Sequence, residues 1–137
     1  MRIAKSETLS VRSAPEVVGV RHLVRKFAVE LGLSLVEQTK VVTAASELAR
    51  NMVDYGGGGT MTAECLDDGI RRGLRLIFED HGPGIPDLDA ALRDGFTTGS
   101  GMGLGLGGAK RLSNEFEIRT APGEGTRIAI TRWKGAS

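Results

Sequence analysis

The chain has a single cysteine, Cys65, in 137 residues, so no internal disulfide can form and a reducing, cytoplasmic setting is expected. Neither sign of charge is in excess. Eighteen Lys and Arg face 17 Asp and Glu, and a formal net charge of +1 offers no global attraction to nucleic acid or to an anionic membrane. No apolar run approaches the ~20 residues that span a bilayer. The opening Met1-Arg2-Ile3-Ala4-Lys5-Ser6-Glu7 lacks the apolar centre of a signal peptide. These absences exclude a disulfide scaffold, a polybasic arm and a membrane helix. What remains is 40% hydrophobic and 26% charged, the balance of a globular chain long enough for one domain, 1–137, with one core.

Glycine, by contrast, is plentiful, and its 20 copies are clustered. They gather at 56–59, at 82 and 84, and from 99 to 108. Between well-patterned elements, such clusters mark loops that turn sharply or bring a ligand close to the backbone.

The pattern predicts a polar edge strand over residues 2–12. Ser13-Ala14-Pro15-Glu16 reads as a capping box opening a helix whose apolar face is Val17, Val20, Leu23, Val24, Phe27 and Leu31, with Gly32 closing it. His22 falls on its outer surface. Ser34-Leu35-Val36-Glu37 is a second capping box, and Val42, Ala45, Ala49 and Met52 then recur at helical spacing until Gly56. Strands are predicted at 60–66 and 73–79, hinged on Asp67-Asp68-Gly69, with Cys65 a small apolar strand residue. A short helix at 88–93, a loop at 96–102 and a helix from 103 to 113 follow. A hairpin through Pro122-Gly123-Glu124-Gly125 closes the chain. Grouped strands with helices on one face describe an α+β, two-layer α/β sandwich with a mixed, mostly antiparallel sheet.

Three constellations carry chemistry. Glu47 and Asn51 lie one helical turn apart on one face. Such a pair can present two oxygens to an ion, or an acceptor and a base to a substrate; taken alone, a Glu and an Asn at this spacing are usually a wet helix face. Asp80, with Gly82 and Gly84, ends the strongest strand, where an acid can accept a hydrogen bond from a ligand amine. Gly99-Ser100-Gly101-Met102-Gly103-Leu104-Gly105 opens a helix with bare amides suited to phosphate. Gly103, Gly105 and Gly108 match a dinucleotide-fold spacing but lack the preceding strand, and Lys110-Arg111 does not complete a Walker loop.

Glu47-x-x-x-Asn51, Asp80-x-Gly82-x-Gly84, Gly101-x-Gly103-x-Gly105 and Gly125-Thr126, in this order, resemble the N, G1, G2 and G3 boxes of the GHKL superfamily of gyrase, Hsp90, histidine kinases and MutL. The short span from Asp80 to Gly101 resembles the anti-sigma-factor serine/threonine kinase branch. Ser46-Glu47-Leu48-Ala49-Arg50-Asn51, Asp94-Gly95-Phe96 and Lys110-Arg111-Leu112 look most like its RsbT-type stressosome switch kinases. The resemblance implies a Bergerat-type ATP fold with Glu47 as general base and Asn51 holding Mg²⁺. It implies that Asp80 takes the adenine amine, with Gly82, Gly84 and Thr126 shaping the base pocket. Gly99, Gly101, Met102, Gly103, Leu104 and Gly105 would cradle the phosphates under a lid at 95–103. It further implies ATP as phosphate donor and a STAS-domain protein as substrate. A PP2C-type phosphatase or a sigma factor is implied as a further partner, with no nucleic acid and no membrane. Asp54-Tyr55 and the four-glycine run depart from the family pattern.

Overall fold

The computed structural model describes residues 1–85, 92 and 106–136. Within them the chain runs β1 (Arg2–Val11), α1 (Ala14–Glu30), α2 (Leu35–Asp54), β2 (Gly59–Asp67), β3 (Arg72–Asp80), α3 (Leu106–Arg111), β4 (Glu115–Ala121) and β5 (Gly125–Trp133). The strands form one sheet in the order β1-β2-β3-β5-β4, and every pairing is antiparallel. The expected helix at 88–93, apart from residue 92, the loop at 96–102 and the first residues of the helix expected at 103–113 lie outside the described residues.

Strand alternation sets the layers. Met61, Ala63 and Cys65 of β2, Leu74, Leu76 and Phe78 of β3, and Ile128 and Ile130 of β5 point to one face and are buried. Val20, Val24 and Phe27 of α1 and Val41, Ala45, Leu48 and Met52 of α2 cover that face. Each fully buried Leu, Val or Phe contributes about 1.5–3 kcal/mol, so this shared layer is the main cohesive term. The stripe on α2 is broader than the sequence pattern suggests: Val41, Ala44 and Leu48 are buried and Val42 is only partly so. Cys65 is a buried free thiol, its pKa pushed up chiefly by burial. On the opposite face, Thr8 meets Thr62 through their hydroxyls at 2.9 Å, and Arg75 pairs with Glu64 at 2.6 Å.

The two expected capping boxes differ. At α2 the box is complete: the Glu37 amide donates to Ser34 Oγ at 3.1 Å and the Ser34 amide to Glu37 Oε1 at 2.8 Å. At α1 the Ser13 hydroxyl caps no amide. It turns to the Glu16 carboxylate, which accepts from the Arg12 amide at 2.8 Å, one residue before the expected donor, the Ser13 amide. The serine hydroxyl can donate to a nearby carboxylate or accept from an amide, and here the carboxylate wins.

The N-terminal turn of α2 is also fastened from far away. Glu37 Oε2 accepts from the Gly135 amide at 2.7 Å, across 98 residues of chain. Burial pushes the Glu37 carboxyl up. The amides of Ser34 and Gly135, the Ser34 hydroxyl and the Arg132 charge outweigh this, and its pKa is lowered below the ordinary 4.5. Buried Arg132 donates to the carbonyls of Leu112 (3.2 Å) and Ala136 (3.1 Å), tying the end of β5 to the segment after α3. No helix among the described residues is long and apolar enough to cross a membrane.

Candidate functional site

An open recess lies where the C-terminal half of α2 meets the ends of β3 and β5. From α2 it takes Leu48, Asn51 and Met52, and from its C-cap Tyr55, positions i, i+3, i+4 and i+7 of one helical face. From the sheet it takes Phe78, Asp80, Thr126 and Ile128, with Pro83, Gly84 and Ile85 as one rim and Leu106 from α3. The wall is mostly apolar, with few polar groups placed in it, the usual chemistry of a small-molecule site.

Those polar groups have unspent capacity. Asn51 Nδ2 is buried and has no hydrogen-bond partner among the described residues. An unpaired buried amide costs roughly 1–3 kcal/mol unless a ligand completes it. Asp80 is half-buried; its Oδ1 accepts from the Gly82 amide at 2.9 Å, which leaves Oδ2 as an acceptor at the recess. Among the described residues no group of three His, Cys, Asp or Glu side chains could hold a metal. A cation here would therefore rest on Asn51 and on oxygens brought by a ligand, the habit of Mg²⁺, which keeps waters and shares substrate phosphates. Asn51 fits that mode through its amide oxygen, whereas the unpaired Nδ2 is a donor and suits a ligand oxygen.

Glu47 is half-buried one turn before Asn51, and it is not among the recess-lining residues described. Its neighbour Ser46 accepts from Arg21 Nε of α1 at 2.9 Å, which holds this turn of α2 against α1. Arg50 is exposed. Lys110 and Arg111 are exposed in the last turn of α3, where cations favour a helix C-terminus. Gly99, Gly101, Met102, Gly103, Leu104 and Gly105 lie outside the described residues.

The glycines at 82 and 84 let two loops touch, and Gly84 also lines the recess. A Cβ on Gly82 would lie 2.6 Å from the Gly56 carbonyl oxygen. Gly84 has φ +78°, and a Cβ there would lie 2.2 Å from the Ala121 carbonyl oxygen. The 82–85 turn is thereby pressed onto the β4–β5 hairpin, and the Gly123 amide donates to the Pro83 carbonyl at 2.8 Å.

Sequence reasoning missed Thr120. It faces Thr126 across the β4–β5 ladder, with the hydroxyls 2.9 Å apart, and accepts from the Ile85 amide at 2.9 Å. The signal was available: counting back from the 122–125 turn places 120 opposite 126. Leu48, Tyr55, Ile85 and Leu106 were also unclaimed as site residues. Leu48, Met52 and Tyr55 continue the apolar face of α2 to its end, so a stripe that reads as core is partly pocket wall.

Residues 25–135 match the family model described as histidine kinase-, DNA gyrase B-, and HSP90-like ATPase. The chain is 46% identical over 118 residues to the serine/threonine-protein kinase RsbT of Bacillus subtilis, covering 86% of this chain and 89% of that protein. It is 29% identical over 122 residues to an anti-sigma F factor of Thermoanaerobacter, covering 85% and 84%. Among solved structures, the RsbU and RsbW domains of Rv1364c from Mycobacterium tuberculosis match with a TM-score of 0.68 at 21% identity. That match covers 98% of this chain and 34% of that one, and shows the likeness of fold alone. With an antiparallel sheet under two helices, and a recess holding Asn51 and Asp80 on separate elements, the chain belongs to the histidine kinase-, DNA gyrase B- and HSP90-like ATPase family, among the RsbT-like serine/threonine-protein kinases.

Proposed function

We propose that this chain transfers the γ-phosphoryl group of ATP to a serine or threonine of a STAS-domain protein in a partner-switching pathway of the cytoplasm. The observation that carries this reading is that Asn51 and Asp80, on different elements, line one apolar recess with polar capacity left over. In this reading Asp80 accepts from the adenine amine beside Gly82 and Gly84, and Thr126 supports the base. Asn51 holds Mg²⁺, which when bound neutralises phosphate charge. Gly99, Gly101, Met102, Gly103, Leu104 and Gly105 cradle the phosphates.

Glu47 takes the proton of the acceptor hydroxyl as its oxygen bonds to the γ-phosphorus; the bond to the β-phosphate oxygen breaks and ADP leaves. Positioning and charge neutralisation supply most of such catalysis. Release from the STAS protein then frees the chain to engage a PP2C-type phosphatase.

A second reading has its own support: a relative of 29% identity is named an anti-sigma F factor. There, the chain grips a sigma factor and nucleotide regulates the grip. Incubation with γ-labelled ATP and purified STAS, sigma and phosphatase proteins from the same genome separates the two. Label on a STAS protein is the expected result. A stable sigma complex without label on any STAS protein would displace the kinase reading.

A further inference from the structure

Large apolar side chains left in water gather at one end of the molecule. Of those exposed among the described residues, all but Val18 lie at the end opposite the recess. Val29 is in the last turn of α1, Leu35 and Val36 are in the first turn of α2, and Ile70 is in the β2–β3 turn. They are 56, 72, 63 and 95% exposed. None of these positions calls for an apolar residue. The first turn of a helix favours acids, and a hairpin turn favours Gly, Asn, Asp and Ser. The fold itself therefore leaves this apolar area uncovered. Because α2 is 20 residues long, this basal end stands about 30 Å from the recess.

Lys134 joins the two halves of the patch. Its amide donates to the Arg72 carbonyl at 2.8 Å, beside the turn that holds Ile70. Its Nζ lies 3.0 Å from where a Cβ on Gly32 would stand, in the α1–α2 turn between Val29 and Leu35. The free charge around the patch has one sign. Glu30 is engaged by Lys5 at 3.0 Å, Asp67 by Arg2 at 3.9 Å, Asp68 by Arg71 at 3.1 Å, and Glu37 by the Ser34 and Gly135 amides. Arg72 and Lys134 are exposed and enter no ion pair among the described residues. The same holds for Lys26, one turn before Val29 on α1.

This end presents helix ends, strand ends and a turn. It offers no strand edge for a partner to extend, so the mode left is an amphipathic helix laid with its apolar stripe on the patch. The unpaired cations complement acidic flanks on that helix. A lipid surface fits less well. Three free cations fall short of the roughly four to eight of a polybasic lipid site, and the exposed apolar set holds no Trp, Tyr or Phe. A second copy of this chain would set like charge against like charge. We propose that the basal end is a docking surface for an acidic amphipathic helix of a partner protein, open to it while the recess is filled. The proposal goes beyond the kinase reading and does not depend on it.

The test is fluorescence anisotropy of the full chain with a labelled peptide of about 20 residues, long enough to be helical. The peptide is built of Leu, Ala and Glu with its leucines at i, i+3, i+4 and i+7. The controls are a scrambled peptide of the same composition and a peptide with Lys in place of Glu. The wild type should bind the acidic amphipathic peptide about 10-fold or more tightly than either control. Leu35→Glu combined with Ile70→Glu should weaken binding about 10-fold or more, and Lys134→Glu roughly 3- to 10-fold. Saturating ATP and Mg²⁺ should leave the wild-type affinity within about 2-fold. Ile70→Glu alone, at a position 95% exposed, keeps the test if the double variant does not fold. Equal affinity for the amphipathic and scrambled peptides overturns the proposal, as does unchanged affinity in the variants. A shift of more than about 2-fold with ATP overturns the independence of the two ends. A wild type that binds phosphatidylserine vesicles and not the peptide assigns the surface to lipid and overturns it. So does a sedimenting dimer that Leu35→Glu with Ile70→Glu abolishes, which assigns the surface to a second copy.

Discussion

The two ends of α2 are built on opposite terms. At the N-terminal end Glu37 is buried and fully engaged, accepting from Ser34 and from Gly135, while Arg132, though its Nε is unpaired among the described residues, ties the chain end to Leu112 and Ala136. At the C-terminal end Asn51 leaves a buried amide nitrogen unpaired among the described residues and Asp80 keeps one carboxylate oxygen for the recess. One end is fastened so that the other can present polar groups that its own fold does not satisfy. Rigid support behind an incompletely satisfied site is what binding geometry requires.

Substitutions at the open end should cost function without stability, and those at the fastened end the reverse. The largest effect is expected from Glu47→Gln. Phosphoryl transfer to the STAS substrate should fall roughly 10²–10⁴-fold, the usual worth of a general base, with ATP affinity retained. Label transfer at saturating ATP measures it, and full activity would remove Glu47 from the mechanism.

Asn51→Ala should weaken Mg²⁺-dependent ATP binding by at least the ~10–100-fold that loss of a second-shell metal partner costs. Its melting temperature should hold steady or rise, because an unpaired buried amide goes with it. Equal calorimetric affinity with and without Mg²⁺, in wild type and variant alike, would refute the metal role.

At the fastened end, Glu37→Ala strands the Ser34 and Gly135 amides and should destabilise by about 2–3 kcal/mol in urea denaturation. ATP affinity of the folded fraction should stay within about 2-fold. A large loss of affinity would show that the two ends are coupled and would break the contrast drawn here.

The acid limb of stability sharpens the same contrast. The Glu37 carboxyl is lowered on folding, so its contribution is complete above the ordinary value of 4.5 and is lost as pH falls through its folded value. The Asp68 carboxyl, held at about 2 by the Arg71 and Ile70 amides and the Arg71 side chain, loses its contribution, which solvent screening at the surface reduces, between 3.8 and about 2. Urea midpoints from pH 7 to 2.5 should therefore decline in the wild type, less steeply in Glu37→Ala, and slightly less steeply in Asp68→Asn. Parallel curves for all three would contradict both assignments.

Most of the fold was legible along the chain because its signals are local. Period-2 runs located β2 to β5, period-3.6 runs located α1 and α2, and Asp67-Asp68-Gly69 located a hairpin, all to within a few residues. The serines were less legible. Ser13 and Ser34 stand in the same motif, and only the second caps, because at Ser13 the hydroxyl turns instead to the neighbouring Glu16 carboxylate. The site was legible as a set of residue types in a known order, and the tertiary structure brings Asn51, Asp80, Gly84 and Thr126 to one recess.

By itself, then, the sequence determined which segments are helical or extended, which faces are apolar, and which family this ATPase belongs to. The first two follow from spacing between near neighbours, and the family from the resemblance of motifs ordered along the chain from Glu47 to Thr126. Only the tertiary structure decided that Gly84 must lack a side chain because Ala121 lies against it, that Thr120 stands behind Thr126, and that Gly135 fastens Glu37 from 98 residues away. Such contacts depend on strand register and on how loops close, and short-range periodicity carries no record of either.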